Sequence, residues 1–330
     1  MIIVWLKFLI CAAIIYFAGS KLTKYGDAIA EKTGLCRAWI GLVLLAAVTS
    51  LPELATAVSA TAWAQAPDLA AGDLLGACMM NMFSLAVLDL LWGLRGKGTI
   101  FIKPKQGNLL STLSGVAILL IVSAALALGH RAIDPSLWGI SLYSLVILAV
   151  YLFSLFILHQ HRECAETVAE EGYANISSSR VYSFFLLSAI IVVAAGSWLP
   201  FIGSEIVTVM GWGETFVAVL FLALATTLPE MTVSFSALRM GHVGMGIGNL
   251  VGSNVFDVSL VFVADIFYRP ASLYSAVSQS MIYPALFGAL LMGIVYFSLK
   301  RQTRSHLPSI VVIVTYLLAL FFLFRTGALS

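Results

Sequence analysis

The chain has 330 residues, of which 61% are hydrophobic and 10% charged, with a formal net charge of +2 and a mean hydropathy of +1.00. A soluble domain of this size has no interior large enough for that much apolar surface, so a water-soluble protein is excluded. The small net charge gives no reason to expect a nucleic-acid partner.

Apolar runs of about 20 residues recur along the chain, the length that crosses the hydrocarbon layer as a helix. The predicted fold class is therefore an all-α integral membrane protein, multi-pass in the cell membrane, with ten transmembrane helices. In chain order the expected spans are 2–20, 38–64, 69–94, 108–129 and 136–159, then 181–203, 214–238, 244–267, 272–299 and 308–326. The first is read as a span rather than a signal peptide, because it lacks a basic leading region and Lys7 falls inside the apolar stretch. Between the fifth and sixth lies "HQHRECAETVAEEGYANISSSR" (159–180), polar, somewhat acidic and too short for a folded domain. It is expected to be a solvated cytoplasmic linker rather than a regulatory cation sensor. On that side the sequon at Asn175 would go unused.

A shift of 177 residues lays the chain on itself. Gly19 and Ser20 fall on Gly196 and Ser197, Gly34 on Gly211, and "TSLPELATAVSA" (49–60) on "TTLPEMTVSFSA" (226–237). After one deletion, "GDLLGACMMN" (72–81) falls on "GNLVGSNVFD" (248–257). The expected organisation is a first five-helix repeat at 1–158, the linker at 159–180, and a second five-helix repeat at 181–330. Five is odd, so the second repeat enters the bilayer upside down. That is the inverted-topology repeat of a secondary transporter, whose binding site lies at the midplane between the halves. A channel or a receptor has less need of this symmetry. With the N-terminus outside, 14 of the 18 Lys and Arg fall on the inner side, leaving Lys7, Arg131, Arg269 and Arg325. The bias predicts both termini outside.

Within each repeat the oxygen-bearing residues share faces. Pro52 and Pro229 have no N–H for the carbonyls of Val48 and Ala225, so each is expected to kink its helix and free backbone oxygen. Glu53 lies four residues after Thr49, and Glu230 four after Thr226, on one helix face each. Carboxylate, hydroxyl and loose carbonyl are hard ligands suited to Na⁺ and Ca²⁺. In the following spans Gly72 and Gly76, and Gly244, Gly248 and Gly252, are spaced for close helix approach. That approach is expected to bring in Asn81 and Asp257, with Ser253 one turn before Asp257. A lone Pro is more often only a kink and a lone Glu a structural charge. A Pro-Glu pair repeated at related places beside hydroxyls points instead to an ion site.

Other residues are read more simply. Asp89 and Asp265 match by the 176 shift and lie toward helix ends, where capping is expected. Asp68 and Glu214 sit at helix starts, where they suit the dipole. Cys11, Cys36, Cys78 and Cys164 form no CxxC pair and are ordinary small residues. The five His fall at span ends or in loops and no HExxH occurs, which argues against an intramembrane zinc enzyme.

"TSLPE" and "TTLPE", each followed by a GNxxGSN-like stretch, resemble the two α-repeats of the calcium/cation antiporter superfamily, of the prokaryotic sodium/calcium exchanger type. The resemblance covers essentially the whole chain. It implies antiport of Na⁺ and Ca²⁺ by alternating access, with the first and sixth spans sliding over the rest. Glu53 and Glu230 would be central Ca²⁺ ligands, joined by oxygens of Thr49 and Thr226 and by Asn81 and Asp257. Ser50, Thr227 and Ser253 would help form Na⁺ sites, with carbonyls of Ala46 and Ala223 or their neighbours. No cofactor and no protein partner is implied, since Ca²⁺ and Na⁺ bind as substrates. The first repeat departs from the pattern: Val48 replaces Gly, Asp73 replaces Asn, Ala77 replaces Ser and Cys78 replaces Asn. In the second repeat Ala225 stands where the pattern has Gly, and Thr227 replaces Ser. Ala77 removes an oxygen from a Na⁺ site, so weaker Na⁺ binding is expected unless Asp73 compensates. The alternative is an H⁺-coupled exchanger, or one for another divalent cation, on the same fold.

Overall fold

The computed structural model describes residues 1–33, 45–102, 106–131, 133–137, 139–160 and 177–327. The predicted starts of the second span and most of the 159–180 linker lie outside them, as do Cys36 and Cys164. In chain order the helices are α1 (Ile2–Thr33), α2 (Leu45–Thr49), α3 (Leu51–Ala62), α4 (Pro67–Leu94), α5 (Gln106–Gly129) and α6 (Leu142–Gln160). Then come α7 (Ser178–Met210), α8 (Glu214–Thr226), α9 (Leu228–Arg239), α10 (Val243–Phe267), α11 (Leu273–Ala276), α12 (Ile282–Lys300) and α13 (Leu307–Gly327). Among the described residues eight helices are long and apolar enough to cross a membrane, and nine if the bent pair α8–α9 counts as one span.

Three predicted boundaries are corrected. Residues 136, 137 and 139–141 are not helical. Ser136–Leu137 and Ile140–Ser141 form a small antiparallel pair, turned at Gly139 with φ of 81°, which L side chains rarely adopt. Residues 272–281 are also not one helix. They make only the turn α11 and a 3₁₀ turn at Gln279–Met281 before α12 begins. Hydropathy averaged over a span cannot register such caps as Ser272, whose hydroxyl accepts from Tyr274 N. The third correction is length. α1 has 32 residues and α7 has 33, about 48–50 Å at 1.5 Å per residue. Both outrun a ~30 Å hydrocarbon layer, which lets α1 keep Lys21, Lys24 and Asp27 in its last turns.

α4 and α10 are the most enclosed of the long helices, while α6 and α13 are the most exposed. The centre is therefore made of the two helices that follow the Pro-Glu motifs. Asp89 and Asp265 lie near their ends, where each carboxylate ties down neighbouring chain. Asp89 Oδ1 accepts from Thr99 Oγ1 at 2.7 Å and Ile100 N at 2.9 Å. Its Oδ2 accepts from Ser309 Oγ at 2.6 Å and pairs with His306 Nδ1 at 2.7 Å. Asp265 accepts from Ser141 N at 3.0 Å, Ser144 Oγ at 2.8 Å and Leu273 N at 2.9 Å. Asp68 does more than face a dipole: it accepts from Ser278 N at 2.6 Å and Ser278 Oγ at 2.5 Å.

α1 and α7 pack on each other and across the helices that carry the motifs. Lys7 Nζ lies 2.7 Å from both carboxylate oxygens of Glu205. A Cβ on Gly19 of α1 would lie 2.5 Å from Pro229 Cγ, and one on Gly196 of α7 would lie 2.9 Å from Pro52 O. These two glycines, matched by the repeat, thus let each long helix press on the proline of the other half. α7 also carries Pro200 inside it. With no N–H there, the carbonyl of Gly196 loses its helical partner. Thr56 Oγ1 donates to it at 3.2 Å, and Ser59 Oγ donates to Ser197 O at 2.5 Å. The Thr56 hydroxyl supplies the donor that the proline removed, and Ser59 adds a second tie from α3 to the same turn.

Candidate functional site

The two Pro-Glu motifs do not bend a continuous helix. They end one helix and start another. α2 stops at Thr49, Ser50 takes φ −84° and ψ 17°, and α3 begins with Pro52 in its first turn. In the second half α8 stops at Thr226, Thr227 takes φ −80° and ψ 0°, and α9 begins with Pro229. The second break turns the chain by 49°. Proline is tolerated in a first turn because its missing N–H would be unpaired there anyway. Each break points a helix C-terminus, with its negative dipole end, and a helix N-terminus, with its positive end, into the protein centre. Glu53 and Glu230 stand in the first turns of α3 and α9, where the dipole favours a carboxylate.

The carbonyls of Ala46 and Ala223 are not loose. Ala46 O accepts from Ser50 N at 2.9 Å and Thr49 Oγ1 at 3.1 Å. Ala223 O accepts from Thr227 N at 3.0 Å and Thr227 Oγ1 at 2.7 Å. Thr227 is thereby turned to its own backbone, away from any partner in the other half.

The remaining residues meet across the halves. All ten side chains that the sequence singled out are 0–1% exposed. Ser50 Oγ donates to Glu230 Oε1 at 3.2 Å. Thr49 Oγ1 and Ser253 Oγ lie 3.4 Å apart. Thr226 Oγ1 donates to Asp73 Oδ1 at 3.1 Å. Asn81 Nδ2 is 3.5 Å from Asp257 Oδ2 and donates at 2.9 Å to Asn254 Oδ1. The close approach that this needs is visible at Gly72 and Gly76. A Cβ on the first would lie 2.5 Å from Ala218 Cβ, and one on the second 2.6 Å from Val219 Cα. Both facing residues belong to a π-helical turn at Ala218–Leu222, a local widening often found at functional sites.

Two asparagines belong to this framework and were not singled out. Asn249 Nδ2 donates to Glu230 O at 3.1 Å and to Ser234 Oγ at 3.0 Å, fixing the turn that carries Glu230. Asn254 Nδ2 donates to Cys78 O at 3.0 Å, while the Cys78 thiol donates to Asn254 O at 3.6 Å. Both lie in "GNLVGSN", so the motif was visible although their bonds were not.

The electrostatics are one-sided. The charges acting on Glu53 are those of Glu230, Asp257 and Asp73. Six oxygens in this cluster receive no hydrogen bond: Glu53 Oε1 and Oε2, Asp73 Oδ2, Asn81 Oδ1, Glu230 Oε2 and Asp257 Oδ1. A buried anion without a partner costs several kcal/mol. Such a cluster has to take up protons or cations. Among the described residues no three Asp, Glu, His or Cys side chains converge tightly enough to form a metal centre alone. Neutral oxygens of Thr, Ser and Asn would have to complete any coordination shell.

A sequence profile described as sodium/calcium exchanger protein matches residues 3–159 and 181–325. The chain belongs to this family. Its members are exchangers, not enzymes, so the protein is a multi-pass membrane cation exchanger. The uncharacterised membrane protein MJ0091 of Methanocaldococcus jannaschii is 28% identical to this exchanger over 257 residues, 76% of this chain and 77% of that protein. The crystal structure of the H⁺/Ca²⁺ exchanger CAX superposes with a TM-score of 0.79 at 14% identity, over 99% of this chain and 86% of the other. The sodium-calcium exchanger NCX_Mj, in a crystal soaked with 2.5 mM Na⁺ and 10 mM Sr²⁺, gives a TM-score of 0.61 at 20% identity, over 97% and 98%. At these identities the superpositions establish the shared exchanger fold.

Proposed function

We propose that this exchanger is a secondary antiporter that moves Ca²⁺ against Na⁺ by alternating access. It is built as ten transmembrane helices in two inverted five-helix repeats, 1–158 and 181–330. The observation that carries this reading is the buried, one-sided carboxylate cluster drawn from both halves and joined by the Ser50–Glu230 hydrogen bond. Glu53, Glu230, Asn81 and Asp257, with Thr49 and Thr226, take Ca²⁺ as substrate. A hard divalent cation wants 6–8 oxygens, and the breaks at Ser50 and Thr227 aim carbonyl ends toward the same centre. Ser50, Thr227, Ser253 and Asp73 serve Na⁺. The two profile matches, flanking 160–180, support the division into repeats. α1 and α7 are the moving elements, each riding on the other half's proline through Gly19 or Gly196.

A second reading, H⁺-coupled exchange, is favoured by Asp73, a carboxylate where the family pattern has an amide. Uptake of radioactive Ca²⁺ into proteoliposomes decides between them. An outward-directed Na⁺ gradient should drive accumulation at equal pH, and a pH gradient without Na⁺ should not. Accumulation driven by the pH gradient alone would replace Na⁺ with H⁺ in this reading.

The orientation proposed is both termini outside and the 159–180 linker inside, from the Lys and Arg bias. Single cysteines at Glu170 and Glu214, in a cysteine-free protein, test it in intact cells. An impermeant reagent should label position 214 and spare 170, and the opposite pattern would invert the assignment.

A further inference from the structure

Away from the carboxylate cluster, α4 and α9 end side by side and leave a groove between them. Leu88, Leu91, Trp92 and Arg95 line one wall, and Phe235, Leu238 and Arg239 the other, of a shallow, open cleft. The walls are apolar over two turns of α4 and one of α9, and an arginine stands at the end of each. Neither arginine is in an ion pair among the described residues. The Arg239 guanidinium carbon sits 4.4 Å from the centre of the Phe235 ring, and Lys97 Nζ sits 4.3 Å from that of Trp92. Both cations are thus held over aromatic faces at the groove rather than free in solvent. The same end of the protein carries Lys300, Arg301 and Arg304 between α12 and α13. The carboxylate of Asp89, on the same helix, is buried and already engaged by Thr99, Ser309 and His306.

We propose that this groove holds one anionic phospholipid of the adjacent leaflet, its phosphate between Arg95 and Arg239 and its acyl chain along Leu91, Trp92 and Phe235. The charge complementarity is direct: two guanidinium groups in no ion pair among the described residues stand at the ends of membrane-length helices, where a leaflet supplies phosphate monoanions. The apolar walls commit the site to a lipid, since a free anion makes no use of them. α9 carries Glu230 at its other end, so the lipid sits on the helix that positions a candidate ligand.

Native mass spectrometry of protein released from mixed phosphatidylglycerol and phosphatidylcholine membranes tests this. The parent should retain one phosphatidylglycerol in preference to phosphatidylcholine. The R95Q/R239Q double variant should lose that preference roughly tenfold, while R304Q keeps it. Equal retention in the double variant would overturn the proposal. So would equal loss in R304Q, which would mean diffuse attraction to a basic surface. If the double variant does not purify as a monodisperse protein, R95Q and R239Q are read singly against R95K and R239K, which keep the charge and should keep the lipid. In detergent without lipid, inorganic phosphate should leave the melting temperature unchanged. An arginine-dependent rise with phosphate would make this a bare-anion site and remove the lipid from it.

Discussion

Glu230→Gln should abolish Ca²⁺ exchange and leave a folded, monodisperse protein. The carboxylate is fully buried, and its Oε2 receives no hydrogen bond. Its Oε1 accepts from Ser50 Oγ, a bond that an amide oxygen can also accept. The fold therefore asks of this residue little that Gln cannot give. Removing one charge from a crowded set of carboxylates relieves repulsion, so the melting temperature should hold or rise. Transport is different. Ca²⁺ must be repaid for its hydration shell by charge and oxygen together, and the affinity of oxygen sites follows the number of charged ligands. Loss of one of two central carboxylates should cost roughly a hundredfold or more in Ca²⁺ affinity. Glu53→Gln makes the cleaner control, because neither Glu53 oxygen receives a hydrogen bond. Flux and thermal unfolding are measured on the same preparations. A purified, monodisperse Glu230→Gln that still moves Ca²⁺ at near the parent rate would remove Glu230 from the site. A variant that loses flux only because it unfolds would make it a structural charge.

The features legible in the sequence are those written twice. The Pro-Glu pair recurs at a fixed shift, so its place beside Thr49 and Thr226, and the close packing expected of the glycine-spaced helices that follow, could be read without coordinates. What the Pro-Glu pair builds was read less well. A proline inside an apolar run suggests a kink, but Pro52 and Pro229 each open a new helix. The difference lies in φ and ψ at Ser50 and Thr227, which composition does not encode. The pairing of residues across halves was also hidden, because nothing local distinguishes Thr227, turned to Ala223 O, from Ser50, turned to Glu230. The hairpin at 136–141 was missed because its residues are apolar enough to extend a span, and only Gly139 marks the turn. Pro200 went unremarked. Its consequence depends on Thr56 and Ser59, more than a hundred residues away, supplying hydroxyls to α7.

The altered first repeat should set how this exchanger senses its coupling ion. In the second half's pattern a Thr hydroxyl faces a Ser hydroxyl, and Thr49 with Ser253 keeps that arrangement at 3.4 Å. By the repeat, the related corner would pair Thr226 with residue 77, which is Ala and has no side-chain oxygen to offer. The structure fills the gap from one turn earlier on α4: Asp73 Oδ1 accepts from Thr226 Oγ1 at 3.1 Å, and Asp73 Oδ2 is left without a donor. A carboxyl group thus stands at a corner that the family pattern leaves neutral, and in its ionised form it would offset the weakening of Na⁺ expected from Ala77 alone. Asp73→Asn should raise the Na⁺ concentration for half-maximal exchange roughly tenfold, the ~1.4 kcal/mol of one modest charged contact. It should also flatten the pH dependence of uptake, because the group that can trade a proton for a cation there is gone. Ala77→Ser should strengthen Na⁺ dependence by a smaller factor, since a hydroxyl adds an oxygen but no charge. In the double variant the neutral corner of the family pattern is restored, and a Na⁺ response between those of the two single variants is expected. Initial rates across Na⁺ concentration and pH, for the parent and all three variants, measure this. Identical curves would mean that Asp73 only packs against Thr226 and that the coupling ion is bound elsewhere.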